Sequence, residues 1–276
     1  MTINCKGNLI DLSSPKVMGI LNLTPDSFYD GGLYKNEKDI LQQVETMLQE
    51  GATFIDIGAY SSRPNAEHIS ENEELKRSVP IVKLLLKEFP EILISIDTFR
   101  SNVARQCIEA GAVLINDISA GKMDDKMLET VADLNIPYIM MHMKGTPQTM
   151  LKHSNYANLI KDILFCFSER IAASHALGIK DLIVDPGFGF AKTLEQNFEL
   201  LSKLDLFKIL ELPILIGVSR KSMIYKTLEN SVQDALNGTT VLNTIALQKG
   251  ASILRVHDVK EAVESIKLTN KLSSNH

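Results

Sequence analysis

Eight short apolar runs rich in β-branched residues recur along the chain, and each stops at a polar or glycine-rich cluster. Strand, loop and helix thereby repeat at roughly 35-residue intervals, which is the period of a (β/α)8 TIM barrel. Because the carboxyl ends of barrel strands converge on one pocket, the polar stops predict a single active site. The runs reach Asn22, Asp56, Asp97, Asn116, Met140 to His142, Asp185, Gly217 to Lys221 and Arg255 to His257.

The length of the chain suits one α/β barrel. Its 276 residues lie close to the size of that fold, and an apolar content of 45% can fill both the barrel interior and the layer under its helices. We therefore predict a single domain over residues 1–276. Within it, Lys6-Gly7-Asn8 predicts a short N-terminal hairpin over residues 1–14 that plugs the barrel floor, and residues 273–276 are expected to form a frayed tail.

Three Gly-Ala pairs mark predicted turns from helix to strand. Gly51-Ala52, Gly111-Ala112 and Gly250-Ala251 each follow a helical pattern and precede an apolar run within a few residues. Glycine adopts the left-handed conformation after a helix without a steric penalty, and alanine then allows close packing. These glycines are therefore expected to be structural.

Charge and cysteine usage narrow the classes of partner. The net charge is −5 and there is no basic block, so a nucleic acid partner is not expected and the ligands should be small molecules. The three cysteines are widely spaced without a CxxC pair, which predicts reduced thiols and a cytoplasmic protein. No apolar run approaches the ~18 residues that span a bilayer, so no membrane association is expected.

Seven strings lie at the predicted strand ends: MGILNLTPDSFYDGG at 18–32, SSRP at 61–64, SIDTFR at 95–100, HMKGTPQTM at 142–150, DPGFGF at 185–190, GVSRKS at 217–222 and RVHDV at 255–259. Together they closely resemble the dihydropteroate synthase family of folate biosynthesis. The resemblance covers the whole barrel in order and implies that p-aminobenzoate displaces diphosphate from 6-hydroxymethyl-7,8-dihydropterin diphosphate, giving 7,8-dihydropteroate. It also implies Mg2+ as a companion of the diphosphate and a homodimer.

The polar strand ends suit a pterin ring. A pterin edge carries an amino group beside a ring N–H, and the two oxygens of a carboxylate such as Asp185 match that spacing. Asn116 suits a ring nitrogen beside an amino group, Asp97 can accept from the remaining ring N–H, and Lys221 can approach the ring carbonyl. Taken singly, such residues could equally be helix caps. The pterin slot that the resemblance implies consists of Asp97, Asn116, Met140, Asp185, Lys221 and Arg255.

A neighbouring diphosphate site is predicted from the two ends of the barrel sequence. Asn22 ends the first strand and Arg255 and His257 end the last, and these strands become neighbours when a barrel closes. Arginine offers a planar fork to phosphate oxygens, histidine adds a donor, and the oxygen of Asn22 is a suitable Mg2+ ligand. The alternative for His257 is a packed core histidine. The predicted diphosphate residues are Asn22, Arg63, Arg255 and His257, with Asn22 as the metal ligand.

Two loops, residues 24–32 and 59–65, are rich in Gly, Pro and Ser and are expected to close over the ligands. In this interpretation aromatic and proline side chains sandwich p-aminobenzoate, hydroxyls bind its carboxylate, and Asp30 steadies the closed loops. The alternative for Phe28 is a hydrophobic contact within its own loop. The predicted p-aminobenzoate residues are Phe28, Ser62, Pro64, Phe190, Lys221 and Ser222.

The expected mechanism is a dissociative substitution. Departing diphosphate leaves positive charge on the pterin methylene carbon, which carboxylates can offset while cationic groups stabilise the leaving group. Covalent catalysis is disfavoured because the sequence offers no Ser-His-Asp arrangement and no cysteine at a strand end. The predicted catalytic residues are Asp97, Asp185, Lys221, Arg255, His257 and Arg63.

The second strand and its loop have two distinctive features. Asp56 lies inside its apolar run, so we expect it to brace neighbouring loops rather than bind a ligand. The loop reads Gly-Ala-Tyr-Ser-Ser-Arg-Pro-Asn over residues 58–65, whereas the family usually has Gly-Gly-Glu-Ser-Thr-Arg-Pro-Gly. Ser62 and Arg63 keep the hydroxyl and the guanidinium of that pattern. The chemistry is therefore expected to persist, and the contacts of the loop are expected to differ.

Two other functions are compatible with a pterin slot. A pterin-binding methyltransferase would handle a methylated folate without diphosphate and would leave TPDSF and GVSRKS unexplained. A catalytically silent pterin-binding barrel would be expected to lack Lys221, Arg255 or Arg63, and all three are present.

Overall fold

Eight parallel strands form the closed barrel that the apolar runs predict. The computed structural model describes residues 1–23, 29–30, 33–34, 37–62 and 68–273. Seven pairs of neighbouring parallel strands form the sheet, and a parallel bridge between Val184 and Ile214 joins its two edges to close the barrel. In spatial order the barrel strands are β10 (Leu182–Asp185), β9 (Tyr138–Met141), β8 (Leu114–Asp117), β7 (Ile94–Asp97), β6 (Phe54–Gly58), β3 (Lys16–Asn22), β12 (Ile253–Val256) and β11 (Leu215–Ile216).

Helices cover the outer surface of the barrel. Their inward faces form one large apolar cluster with the outward side chains of the strands, among them Ile55, Ile57 and Val184. The described α-helices are α1 (Glu37–Gln49), α2 (Glu71–Glu88), α3 (Ser101–Glu109), α4 (Met127–Leu134), α5 (Leu159–Ala176), α6 (Leu194–Ser202), α7 (Ser222–Tyr225), α8 (Leu236–Gln248) and α9 (Val259–Ser273).

Two small antiparallel pairs accompany the barrel. The predicted N-terminal hairpin is confirmed as β1 (Thr2–Cys5) and β2 (Asn8–Asp11). Its residues Ile3 and Cys5, together with Leu12, pack against the first inward side chains of the barrel strands, so the hairpin covers the floor. The second pair joins β4 (Tyr29–Asp30) to β5 (Leu33–Tyr34) in the first rim loop.

The three predicted glycine turns are present. Gly51, Gly111 and Gly250 have φ angles of +102°, +119° and +102°, a region that other residues rarely adopt. Each of these glycines ends the connection from a helix and leads into the next strand within a few residues.

Strand alternation separates an apolar floor from a polar rim inside the barrel. Side chains two residues apart on a strand point to the same face, so each inward apolar residue near the floor is followed by an inward residue nearer the rim. The consecutive inward pairs are Phe54 and Asp56, Leu114 and Asn116, Ile139 and Met141, Ile183 and Asp185, Leu215 and Gly217, and Ile253 and Arg255.

None of the described helices combines the length and the apolar character that a membrane crossing requires.

Candidate active site

Arg255 is the hub of the polar rim. Its Nε donates to Asp56 Oδ2 at 2.6 Å, and its Nη2 donates to Asp97 Oδ2 at 2.8 Å. Asn116 Nδ2 donates to the same Asp56 oxygen at 3.0 Å. These hydrogen bonds therefore cross-link four barrel strands, β6, β7, β8 and β12. The structure brings together Asp97, Asn116 and Arg255 as the sequence predicts, and it adds Asp56 to them.

Asp56 braces side chains rather than loops. Its side chain is fully buried, and one carboxylate oxygen accepts hydrogen bonds from both Arg255 and Asn116. The other oxygen, Oδ1, is buried and has no hydrogen-bond partner. An unsatisfied buried acceptor is costly, and here Arg255 offsets the charge that the carboxylate carries. The sequence-based expectation of a bracing role is therefore sharpened to two named partners.

The Asp97 carboxyl group has a pKa close to neutral pH. Burial raises the pKa of Asp97 to about 7, while the charge of Arg255 opposes that shift and the charge of Asp56 adds to it. Burial lowers the pKa of the Arg255 guanidinium, but Asp56 and Asp97 more than offset this effect and raise it above its ordinary value. Arg255 thus stays charged and favours the ionised form of its neighbour.

Asp185 and Lys221 both hydrogen-bond to the loop that follows β10. Asp185 Oδ1 accepts a hydrogen bond from the Gly187 N–H at 2.7 Å, and Lys221 Nζ donates to the carbonyl oxygen of Phe188. Lys221 Nζ also lies 4.9 Å from the centroid of the Phe190 ring. Burial lowers the pKa of Lys221 to about 8, and Asp185 opposes that shift. Burial also raises the pKa of Asp185, against the charge of Lys221.

The predicted apolar wall residue is wrong by one position. Met140 belongs to the cluster between the strands and the helices, together with the outward residue Val184. Ile139 lies in the floor cluster inside the barrel, so the pleat of β9 turns Met141 inward and Met140 outward. Met141 therefore replaces Met140 as the candidate wall of the slot.

The anion half of the site has a feature that the sequence analysis missed. His257 is exposed just beyond β12, which rules out the packed core alternative. Its Nδ1 lies 3.0 Å from Ser219 Oγ, and its backbone N–H donates to the same oxygen at 3.2 Å. Ser219 is itself buried, so its hydroxyl fixes the orientation of the His257 ring. The sequence signal that indicates this role is the position of Ser219 within the GVSRKS string at a predicted strand end.

The remaining predicted residues divide into two groups. Four of them are half-buried at the rim: Asn22 at the end of β3, Ser62 in the loop after β6, Phe190 in the loop after β10 and Ser222 at the start of α7. Phe28, Arg63 and Pro64 lie outside the described residues, as does the side chain of Asp30, whose backbone is in β4. The predicted roles of this second group remain predictions.

Tyr60, at the altered position of the second loop, links several segments. Its hydroxyl lies 3.2 Å from His68 Nδ1 and accepts a hydrogen bond from Gln148 Nε2 at 2.7 Å. Its ring meets Phe99 edge-on at 5.0 Å, and the guanidinium of Arg100 lies 5.4 Å from its centroid. This residue therefore links the start of the second loop to His68, which precedes α2, and to the loop after β9.

Sequence comparison with known proteins agrees with the geometry. The family model described as "Pterin binding enzyme" matches residues 18–257. Dihydropteroate synthase of Escherichia coli (strain K12) is 42% identical over 270 residues, which cover 97% of this chain and 95% of that protein. Dihydropteroate synthase of Haemophilus influenzae is 43% identical and covers 97% of this chain and 98% of its own length.

Solved structures agree as well. The Yersinia pestis dihydropteroate synthase in a sulfonamide drug complex has a TM-score of 0.93 at 43% identity, covering 99% of this chain and 100% of that one. The Xanthomonas albilineans dihydropteroate synthase with 4-aminobenzoic acid has a TM-score of 0.91 at 35% identity, covering 99% and 98%. With a family model over most of the barrel and relatives at this identity, the chain belongs to the pterin-binding enzyme family.

Proposed function

We propose that the chain is a dihydropteroate synthase, which condenses 6-hydroxymethyl-7,8-dihydropterin diphosphate with p-aminobenzoate to give 7,8-dihydropteroate and diphosphate. The observation that carries the proposal is the prebuilt rim of Asp97, Asn116, Asp185 and Lys221 around Arg255. The curated relatives compared above share this name at 42% and 43% identity over nearly the full chain.

The pterin ring is bound by fixed acceptors on three strands. Asp185 accepts from the amino group and the adjacent ring N–H, and Asn116 pairs with the next ring nitrogen. Asp97 accepts from the remaining ring N–H, and Lys221 exchanges the Phe188 carbonyl for the ring carbonyl of the substrate. Asp56 holds Asn116, Arg255 holds Asp97, and the Gly187 N–H holds Asp185, so little reorganisation accompanies binding.

The reaction proceeds by early departure of diphosphate. Positive charge then develops on the methylene carbon and spreads into the ring, where the carboxylate of Asp97 stabilises it. Arg255, whose Nη2 lies 2.8 Å from Asp97 Oδ2, favours the ionised form of that carboxylate. The amine of p-aminobenzoate attacks the cationic carbon, and its proton passes to solvent or to the departing diphosphate. No protein nucleophile takes part.

The donor set favours Mg2+ that arrives with the substrate. Among the residues that the structure describes, no three His, Cys, Asp or Glu side chains form a metal site, and Asn22 offers a single amide oxygen. Mg2+ keeps several waters and commonly binds through few protein ligands plus substrate phosphates. Asn22 would hold such an ion, which when bound would neutralise charge on the leaving diphosphate. His257, fixed by Ser219, donates to the same group.

The p-aminobenzoate site lies beside Lys221. Phe190 packs next to the Lys221 ammonium, and Ser222 follows it at the start of α7. Ser62 approaches from the second loop, and Phe28 and Pro64 complete the proposed pocket. A solved Xanthomonas relative contains 4-aminobenzoic acid and a Yersinia relative contains a sulfonamide drug. We expect both kinds of compound to bind here. A homodimer in the cytoplasm is proposed as the working form.

The test is diphosphate release measured with the pterin diphosphate and Mg2+, with and without p-aminobenzoate. The synthase releases diphosphate in proportion to p-aminobenzoate consumed and yields 7,8-dihydropteroate. A methyltransferase or a silent pterin-binding barrel gives no such dependence, and that result would refute the proposal.

A further inference from the structure

Lys192 is a buried cation that the proposed reaction does not use. Its side chain is only 9% exposed, and its Nζ contacts three polar atoms. They are the carbonyl oxygens of Gly187 at 2.9 Å and Phe190 at 3.1 Å, and Nδ1 of His142 at 3.2 Å. Burial lowers the pKa of Lys192 to about 7, against the charge of Asp185. In its protonated form the group has three N–H donors, and these contacts use all of them. Lys192 therefore has no donor left for a substrate.

His142 is an acceptor in this arrangement. Its side chain is 2% exposed, and burial together with the charge of Lys192 lowers the pKa of His142 to about 2. The neutral ring presents Nδ1 to the ammonium. The backbone of His142 also packs tightly against the next loop, because its N–H donates to the Asp185 carbonyl at 2.9 Å. A Cβ at Gly187 would lie 2.1 Å from the His142 carbonyl oxygen, so that position has no room for a side chain.

The segment from Gly187 to Phe190 is held from two sides. Lys192 binds the carbonyls at its two ends, while Lys221 binds the carbonyl of Phe188 in its middle. The N–H of Gly189 donates to Asn197 Oδ1 at 2.7 Å. The conformation of this turn sets where Phe190 lies and which carbonyl Lys221 releases when the pterin arrives.

We propose that Lys192, with His142 as its acceptor, is a positioning residue that fixes the Gly187–Phe190 turn for the binding of p-aminobenzoate. The inference rests on the proposed function, since it concerns the pocket beside Lys221 and Phe190. It acts through the turn and not by contact with a substrate. Its loss therefore weakens binding in the ground state and the transition state alike.

The test begins with Lys192→Met, which keeps the length of the side chain and removes its donors. We expect the KM for p-aminobenzoate to rise about tenfold, with kcat changed by less than about threefold. Lys87→Met is the control, because Lys87 is 80% exposed and lies far from the turn in sequence, and it should leave both constants unchanged. A wild-type protein without p-aminobenzoate-dependent release refutes the proposed function itself. An active wild type with an unchanged KM in Lys192→Met refutes the positioning role, as does a loss confined to kcat.

A matched pair at His142 covers the case in which Lys192→Met does not fold. Asn and Leu have nearly the same shape, and only Asn offers an oxygen close to the position of Nδ1. Both variants lose the ring contacts with Tyr156 and Phe167 equally. His142→Asn should keep the KM within about threefold of the wild type, and His142→Leu should raise it about tenfold. Equal KM values for the two variants would overturn the proposal.

Discussion

Two arginines are each paired with a deeply buried carboxylate: Arg255 inside the barrel and Arg100 at its edge. The two pairs differ in whether both oxygens of the carboxylate have hydrogen-bond partners. Arg100 donates to Glu74 at 2.5 Å and to the Ile69 carbonyl at 2.7 Å, and the second oxygen of Glu74 accepts from Thr98 at 2.6 Å. By contrast, Arg255 is paired with Asp56, one of whose oxygens has no partner.

The difference separates a structural ion pair from a binding one. The Arg100 cluster is closed, since the aromatic rings of Tyr60 and Phe99 cover its guanidinium at 5.4 and 5.1 Å. The Arg255 cluster opens towards the barrel mouth, where Asp97 remains 18% exposed. Polar groups held in fixed positions but incompletely paired are suited to a polar ligand. The same residue types thus serve stability in one place and recognition in the other.

Replacing Arg255 should produce the largest effect. Arg255→Met leaves Asp56 buried without its cation, so we expect the free energy of unfolding to fall by about 3 kcal/mol and kcat/KM to fall at least ~10^3-fold. Affinity for a pterin lacking diphosphate should fall as well, because Arg255 holds Asp97 and Asp56 in the pterin slot. Denaturant unfolding, steady-state kinetics and calorimetry measure these quantities.

Arg100→Met is the matched control for that variant. It breaks a comparable buried pair with Glu74 and should cost a similar ~3 kcal/mol of stability. The rate at saturating substrates should stay within about fivefold of the wild type, because the Arg100 side chain contacts Glu74, Ile69, Tyr60 and Phe99, which lie outside the slot. A loss of catalytic rate as large as that of Arg255→Met would remove the distinction between the two clusters.

Asp97→Asn should have the next largest effect. The amide keeps the shape of the side chain but not its charge, so the developing methylene cation loses its nearest carboxylate. We expect the single-turnover rate at saturating substrates to fall by ~10^2 or more, equivalent to ~3 kcal/mol. Lys221→Gln should instead act mainly on pterin affinity. A rapid-quench experiment in which Asp97→Asn keeps the full rate would reduce Asp97 to a binding residue.

The pH dependence of pterin binding tests the same carboxyl group. Asp97 accepts the ring N–H more strongly when it is ionised, and its pKa is about 7, whereas that of Lys221 is about 8. Affinity for a pterin lacking diphosphate should therefore rise towards pH 7 and decline above pH 8. In the unliganded protein the raised pKa of Asp97 makes its contribution to stability greatest below its ordinary value of 3.8, and that contribution is lost as the pH rises through about 7. Calorimetry and unfolding curves for Asp97→Asn should lack the rise in affinity towards pH 7 and the stability trend, and should keep the decline in affinity above pH 8 that Lys221 causes.

Tyr60→Phe should have the smallest effect. It removes the hydroxyl that His68 and Gln148 share but keeps the ring beside Phe99. Because these partners are exposed, we expect the KM for p-aminobenzoate to rise only about threefold, the equivalent of one modest hydrogen bond. Gln148→Leu should have a similar effect, and the double variant should be no worse than either. Additive effects would show that the two side chains do not act through one hydrogen bond.

The polar residues at the strand ends were predictable because each lies where an apolar run stops in the sequence. Asp97, Asn116 and Arg255 come together for that reason, and the period of the runs requires a barrel. The wall residue was misplaced because β9 is buried on both faces, so its sequence Tyr-Ile-Met-Met carries no alternation that tells inward from outward. The roles of Ser219 and Lys192 were missed because their partners, His257 and His142, lie 38 and 50 residues away.

The hairpin on the barrel floor has a consequence for how the protein is made. Ile3 and Cys5 pack on Leu215 and Ile253, which leave the ribosome more than two hundred residues later. One of the two neighbours of the first barrel strand, β3, is β12, which is likewise synthesised much later. Contacts of such long sequence separation form slowly. The apolar residues of the hairpin therefore remain without their final partners until the last two barrel strands, β11 and β12, have been synthesised, and they are exposed to wrong contacts for that time.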